Sequence, residues 1–306
     1  MLGPVIETLI GGLLTGVLYA LVALGFVLIF KASGVFNFAQ GAMVLFAALS
    51  LARLSELMPL PLALALSIAI MIALAYAIEL LVLRHLVNQE GIILFMATLG
   101  IAYFLEGFGQ TLWGSDIYKI SLGLPTDPIF LFESVFPGGI LIDPAELIAA
   151  LICAVLVLVL AVFFQVTRVG RALRAVADDH QAAQSVGIPL GQIWFMVWAV
   201  AGLVALVAGM MWGAKLGVQF SLSLVALKAL PVLILGGFTS IPGAIVGGLI
   251  IGAGEKLAEV LLAPVLIRTF DLAGGGIENW FAYVLALLFL LVRPQGLFGE
   301  RIIERV

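Results

Sequence analysis

Residues Thr167–Pro189 read TRVGRALRAVADDHQAAQSVGIP, the longest strongly polar run in a chain that is otherwise almost all hydrocarbon. Apolar stretches flank it on both sides. Arg168, Arg171 and Arg174 come first, then Asp178, Asp179 and His180. Leu173, Val176, Ala177, Ala183 and Val186 recur at roughly helical intervals, which predicts a helix with one apolar face. Arg171 and Arg174 lie three apart and Asp178 follows Arg174 by four, so neighbours on this helix are placed to pair. Gly187 followed by Ile188-Pro189 is a stop signal. The run reads as a short amphipathic helix joining two membrane spans on the side where arginines collect. A helix of that kind needs a partner, unless it is a solvated connector.

The rest of the composition fixes the class. The chain has 306 residues, 64% hydrophobic and 10% charged, with a mean hydropathy of +1.27. Soluble domains are about 45–50% apolar and about 25% charged, so a soluble globular protein is excluded. Repeated apolar stretches of about 20 residues indicate an all-α polytopic membrane bundle. Cys153 is the single cysteine, which rules out a disulfide framework and a cysteine-based metal site and leaves it a packing role. His85 and His180 are too far apart in sequence to suggest a site; no metal and no cofactor is expected. The opening MLGPVIETLI carries no basic residue and leads into an apolar run too long for a signal core, so the first span is expected to stay in the mature chain.

Spans are expected at about 8–30, 38–54, 61–83, 91–112, 146–166, 192–213, 224–238, 243–262 and 279–292. The count is nine, or eight if one short segment is re-entrant. Residues 113–145, acidic and proline-rich, read as an outer loop with room for a short interfacial helix. Glu79 sits in the last turn of its span, near enough to the interface to snorkel. Placing 167–190 in the cytoplasm puts Lys31, Arg84, Arg168, Arg171, Arg174, Arg293, Arg301 and Arg305 inside, eight of the fourteen basic residues. That bias agrees with the positive-inside rule.

Two short spans meet breaks. Gly34-Val-Phe-Asn-Phe-Ala-Gln-Gly-Ala42 can be laid on Gly236-Gly-Phe-Thr-Ser-Ile-Pro-Gly-Ala244 at a constant offset: Gly34 with Gly236, Phe36 with Phe238, Gly41 with Gly243, Ala42 with Ala244. Asn37 then faces Thr239. Transporters are often built from paired halves whose glycine-interrupted short helices line the path. On that pattern Asn37, Gln40, Gly41, Thr239 and Gly243 are expected to line or shape a translocation path; an ordinary tight hairpin is the other reading of the first break.

The chain contains no Gly-Lys pair and hence no phosphate-binding P-loop. It has no H-E-x-x-H and nothing that suggests a catalytic triad, so it is not expected to be an enzyme. An ion-driven carrier needs polar or charged groups deep in its spans. The candidates read from the sequence are few, Glu106, Asn37 and Gln40, which argues for a driving force supplied from elsewhere.

GRALRAVADDHQAAQSVGI resembles the cytoplasmic coupling segment of permeases in high-affinity branched-chain amino acid ABC importers. GLLTGVLYALVALGFVLIFKASGVFNFAQGAM resembles the opening of the same family, GGFTSIPGAIVGGLIIGAGE (236–255) a later stretch, and LVRPQGLFGE (291–300) its ending. Four motifs in order cover nearly the whole chain, with the opening and length of the LivH-type subunit. The resemblance implies a multi-pass subunit of a bacterial inner membrane. Its implied partners are a second homologous permease, two cytoplasmic ATPases and a periplasmic substrate-binding protein, with no nucleic acid. It implies that Gly170, Arg171, Arg174, Asp178, Asp179 and Gly187 belong to the ATPase contact, the arginines pairing with acidic groups there and Gly187 ending the lever. The implied cargo is branched-chain or other small amino acids. Urea or short amides in the same family, or a self-sufficient secondary transporter, are the alternatives.

Overall fold

A computed structural model describes residues 2–34, 36–86, 89–125, 127–131, 139–178, 180–270 and 275–299. The helices are α1 (Leu2–Ser33), α2 (Gln40–Leu57), α3 (Leu60–Leu81), α4 (Gly91–Trp113), α5 (Pro144–Val166), α6 (Arg168–Asp178), α7 (His180–Ser185), α8 (Leu190–Leu216), α9 (Val225–Lys228), α10 (Leu230–Gly236), α11 (Ile241–Phe270) and α12 (Ile277–Val292). The strands β1 (Ile129–Leu131) and β2 (Ile140–Ile142) pair antiparallel with Phe130 opposite Leu141. The all-α bundle expected from composition is the fold observed.

Each of the nine expected spans falls on helix, but not each on a helix of spanning length. Among the described residues six helices are long and apolar enough to cross a membrane alone, and a seventh span is reached only by joining Phe220–Gly236 to Ile241–Thr269, which are bent by 114°. The stretches 224–238 and 243–262, read as two spans, are this one bent pair. Pro231 at the start of α10 and Gly237, at φ +103°, deny the segment a continuous helix. α12 has 16 residues, about 24 Å at ~1.5 Å per residue, short of a hydrocarbon core of about 30 Å. No helix occurs among the described residues of the 114–143 loop; the hairpin β1–β2 stands there instead.

The chain forms two compact units, one of residues 1–23, 123–155 and 227–306, the other of 24–122 and 156–226. In the second, α2 is the centre: every residue from Gln40 to Ala52 is buried. Small residues let α8 approach it. A Cβ on Gly209 would lie 2.5 Å from the Val44 carbonyl, and one on Gly202 meets Met71 of α3 at 3.5 Å. Phe46 packs against Trp113 of α4 with ring centroids 4.9 Å apart. A two-way backbone bridge, Tyr118 N–H to the Val218 carbonyl at 3.0 Å and the reverse at 2.8 Å, ties the start of the loop to the end of α8.

In the first unit the GxxxG of Gly12 and Gly16 lies on that of Gly248 and Gly252. A Cβ on Gly12 would meet the Gly252 carbonyl at 2.7 Å, and one on Gly16 the Gly248 carbonyl at 2.5 Å. Without a hydrophobic drive between helices in lipid, this backbone-to-backbone approach supplies the dispersion and Cα–H contacts that hold α1 on α11. The segment after α12 folds back on α10, with Leu297 N–H donating to the Leu235 carbonyl at 2.8 Å and Phe298 N–H to that of Gly236 at 3.1 Å.

Candidate functional site

The polar run is helical on both sides of residue 179, as α6 and α7; residue 179 itself lies outside the described residues. Thr167 caps the first, its hydroxyl accepting from the Gly170 N–H at 3.2 Å. Of the apolar face read from the spacing, Leu173, Val176 and Ala183 are buried and Ala177 is half-buried, while Val186 is exposed. Gly170 is buried where α6 turns back along α5; a Cβ there would run into the Phe164 carbonyl. Gly187, at φ +86°, ends α7, and the Ile188 N–H donates to the Ala183 carbonyl at 3.0 Å in a Schellman-type stop.

The arginines do something the sequence did not show. Arg174 donates to the carbonyls of Phe164 at 2.6 Å and Gln165 at 3.3 Å, and Arg171 to that of Val166 at 3.0 Å. These carbonyls belong to the last turn of α5, where helix acceptors have no intrahelical donor and the helix dipole is negative. The two guanidinium groups therefore fasten α6 to α5. Arg168 stays exposed, as do Val186, at 77%, and its neighbours Gln184 and Ser185. The Asp178 side chain and Asp179 lie outside the described residues.

The first break is a polar turn buried in the second unit. Asn37 and Gln40 are both 0% exposed. The Asn37 side-chain oxygen accepts from the Ala39 N–H at 3.0 Å, and its amide donates to Gln40 Oε1 at 3.4 Å. Thr98 of α4 closes the turn, accepting from Phe38 N–H at 3.3 Å and donating within 2.9 Å to the Phe95 carbonyl. Phe26, Phe36, Phe38 and Phe95 form a chain of ring contacts along it, with successive centroids 4.7, 4.8 and 4.8 Å apart. Gln40 lies against Gly25, and Gly41 against the Ser223 carbonyl; neither glycine has room for a Cβ. The Nε2 of Gln40 is buried with no hydrogen-bond partner among the described residues.

The second break, in the first unit, is a backbone structure. Gly236 and Gly243 touch main chain to main chain, and Ser240 caps α11 by accepting from the Gly243 N–H at 3.0 Å. Thr239 is half-buried. Asn37, Gln40 and Gly41 thus come together in one unit, and Thr239 and Gly243 belong to the other.

Of the ionisable residues read from the sequence, Glu79 is placed differently from expectation. Glu79 is 4% exposed and pairs with Arg84 at 3.6 Å, so it is buried and does not snorkel. Glu106 is half-buried and makes no ion pair with a described residue. The deep charge is elsewhere. Glu255, 3% exposed in the middle of α11, accepts a hydrogen bond from Tyr19 of α1 at 3.0 Å. Near it Glu278 at the start of α12 holds Lys228 at 3.6 Å and Lys256 at 3.4 Å, and Lys256 also reaches Glu259 at 3.1 Å. The signal was present in the sequence: Glu255 stands inside an expected span, where an ionisable residue is a functional candidate by default.

Several helices long and apolar enough to cross a membrane, one sharply bent helix pair and an amphipathic element between α5 and α8 are the features of a multi-pass membrane protein. Residues 8–293 match the family described as branched-chain amino acid transport system / permease component, and the chain belongs to that family. It is 29% identical over 313 residues to the high-affinity branched-chain amino acid transport system permease protein BraD of Pseudomonas aeruginosa, covering 98% of each chain. It is 27% identical over 323 residues to LivH of Salmonella typhimurium, covering 98% of this chain and 97% of that one. A probable LivH of Methanocaldococcus jannaschii is 28% identical over 301 residues, covering 94% and 91%. Among solved structures, PsaBC from Streptococcus pneumoniae in complex with Fab aligns over 96% of this chain and 97% of that chain, with 15% identity and a TM-score of 0.48.

Proposed function

We propose that this chain is the membrane permease subunit of an ATP-driven importer that carries branched-chain or other small amino acids across a bacterial inner membrane. The observation that carries the reading is family membership over residues 8–293. In this reading 167–190 faces the cytoplasm and docks on one of two ATPases. A second permease and a periplasmic binding protein complete the assembly. The α5–α6 joint, fastened by Arg171 and Arg174 and pinched at Gly170, passes motion of the docked helices to the spans as a stiff lever. The 34–41 turn is the favoured place for cargo: its amides suit the polar end of an amino acid and its phenylalanine rings an apolar side chain.

The buried Tyr19–Glu255 pair is the one observation that favours a self-sufficient ion-driven carrier, since such machines use titratable pairs at mid-membrane. Uptake in proteoliposomes separates the two. The importer reading expects uptake of leucine, isoleucine or valine only when the ATPases, binding protein and internal ATP are all present. Uptake by this chain alone, driven by a proton or sodium gradient, would establish the carrier. Competition by urea or acetamide at the concentration at which leucine competes would move the cargo to short amides.

A further inference from the structure

Glu79 is a buried charge that neither the α5–α6 joint nor the polar turn uses. It lies in the last turn of α3 and is 4% exposed. Arg84 stands 3.6 Å from it, but the Arg84 side chain is 57% exposed, and so open a cation offsets little of the cost of burial. On its other side is α8. A Cβ on Gly191, the second residue of α8, would lie 2.7 Å from Glu79 Oε1, so the carboxylate rests against the main chain there. The first N–H groups of a helix have no acceptor within it and form the positive end of its dipole. Pro189 at the N-cap gives this end no side-chain hydrogen bond. Glu79 brings a negative charge to it from another helix. From that contact α3 and α8 stay packed over the following turns. Tyr76 meets Phe195 edge to face with centroids 5.8 Å apart, and a Cβ on Gly202 would meet Met71 at 3.5 Å.

The other end of the polar run is held in the mirrored way. Arg171 and Arg174 place positive charge on the last carbonyls of α5, just before and along α6. Glu79 places negative charge on the first turn of α8, just after α7. Each charge has the sign that the helix dipole beside it favours. We propose that Glu79 is the second grip on the coupling element, holding the start of α8 to α3 so that motion of α6 and α7 enters α3 as well as α5. It is a positioning residue that acts through α8. The carboxylate grips by its charge, Gly191 leaves the space for it, and Arg84 is not needed. All of these residues lie in the second unit.

The inference rests on the importer reading, so the wild-type complex with its ATPases and binding protein is reconstituted first, and ATP hydrolysed per leucine taken up is measured. Uptake that needs no ATP would remove that reading and the grip with it. In the ATP-driven complex two variants test the grip alone. Glu79→Gln keeps the shape and loses the charge. Gly191→Ala keeps the charge and pushes it off the helix end, since the tip of the Glu79 side chain is what the new methyl group meets. Each is expected to raise ATP consumed per leucine at least about fivefold, the low end of the usual coupling between two sites, with the ATPases still co-purifying. Arg84→Gln should leave the ratio within about twofold of wild type, as for an exposed pair. A wild-type ratio in Glu79→Gln or in Gly191→Ala would overturn the grip. So would an Arg84→Gln ratio as high as that of Glu79→Gln, which would make the ion pair the working contact. Gly191→Ala keeps the buried acid and favours helix, so it decides the matter even where Glu79→Gln folds poorly.

Discussion

The turn leading into α2 is held by side chains, whereas the turn leading into α11 is held by backbone. In the first, Asn37, Gln40 and Thr98 supply the hydrogen bonds and Gly25 makes room for the Gln40 side chain. In the second, Gly236 and Gly243 bring two main chains into contact, and Ser240 is the capping side chain. The aligned glycines mark both turns, but the amides occur in one alone. A turn filled by amides offers donors and acceptors to a cargo; a turn closed by glycine contact offers a rigid joint. One sequence pattern thus serves two physical ends, a turn filled by amides at 34–41, where we propose that cargo is recognised, and a bend closed by backbone at 236–244.

The sharpest way to break this contrast is to add bulk. Gly236→Val and Gly243→Val place a side chain against backbone that cannot yield, and each should cost about 3 kcal/mol, seen as a lower melting temperature of the purified permease. Gly25→Val faces the Gln40 side chain, which can move where backbone cannot, and should cost somewhat less, about 2 kcal/mol. Equal losses at all three positions would erase the distinction between a backbone joint and a side-chain pocket. Next come the hydrogen bonds. Asn37→Ala orphans the buried Ala39 N–H and should cost about 1–3 kcal/mol, against about 1 kcal/mol for Ser240→Ala at the helix cap. The smallest effect on stability is the most telling for function. Gln40→Leu removes a buried amide whose nitrogen has no partner and whose oxygen accepts only a long 3.4 Å bond from Asn37, so stability should change by less than about 1 kcal/mol in either direction. Uptake should nonetheless fall about tenfold, because a residue kept at a cost to stability is kept for function. Uptake unchanged in Gln40→Leu would remove the turn from the path.

Much of this was legible in the sequence, and the reasons are physical. A polar run with apolar residues at helical spacing reads as an amphipathic helix, and Leu173, Val176 and Ala183 bury as that spacing requires, although Val186 does not. Glycines 12, 16, 248 and 252 announced close helix approach, although the sequence could not say that they approach one another. Three features were hidden. Arg171 and Arg174 looked free to pair with acidic groups, because the carbonyls they bind come from the end of another helix and carry no sequence signature. The Tyr19–Glu255 contact joins positions 236 apart, and tyrosine in a membrane helix is too common to flag. The segment 224–238 has the hydropathy of a short span, while Pro231 and the positive φ of Gly237 decide that it bends.

The central claim is that 167–190 is the docking element for an ATPase, and its structure shows where to test it. Arg171 and Arg174 are poor probes, since changing them loosens the α5–α6 joint. Val186, 77% exposed, is the better one. The measurement is co-purification of the ATPase subunits with the permease carrying Val186→Asp, alongside its melting temperature and the ATP-driven uptake of the reconstituted complex. The account predicts a melting temperature equivalent to less than about 0.5 kcal/mol of change, as for a surface substitution, together with loss of both ATPase association and uptake. A Val186→Asp permease that retains its ATPases and transports at the wild-type rate would contradict it.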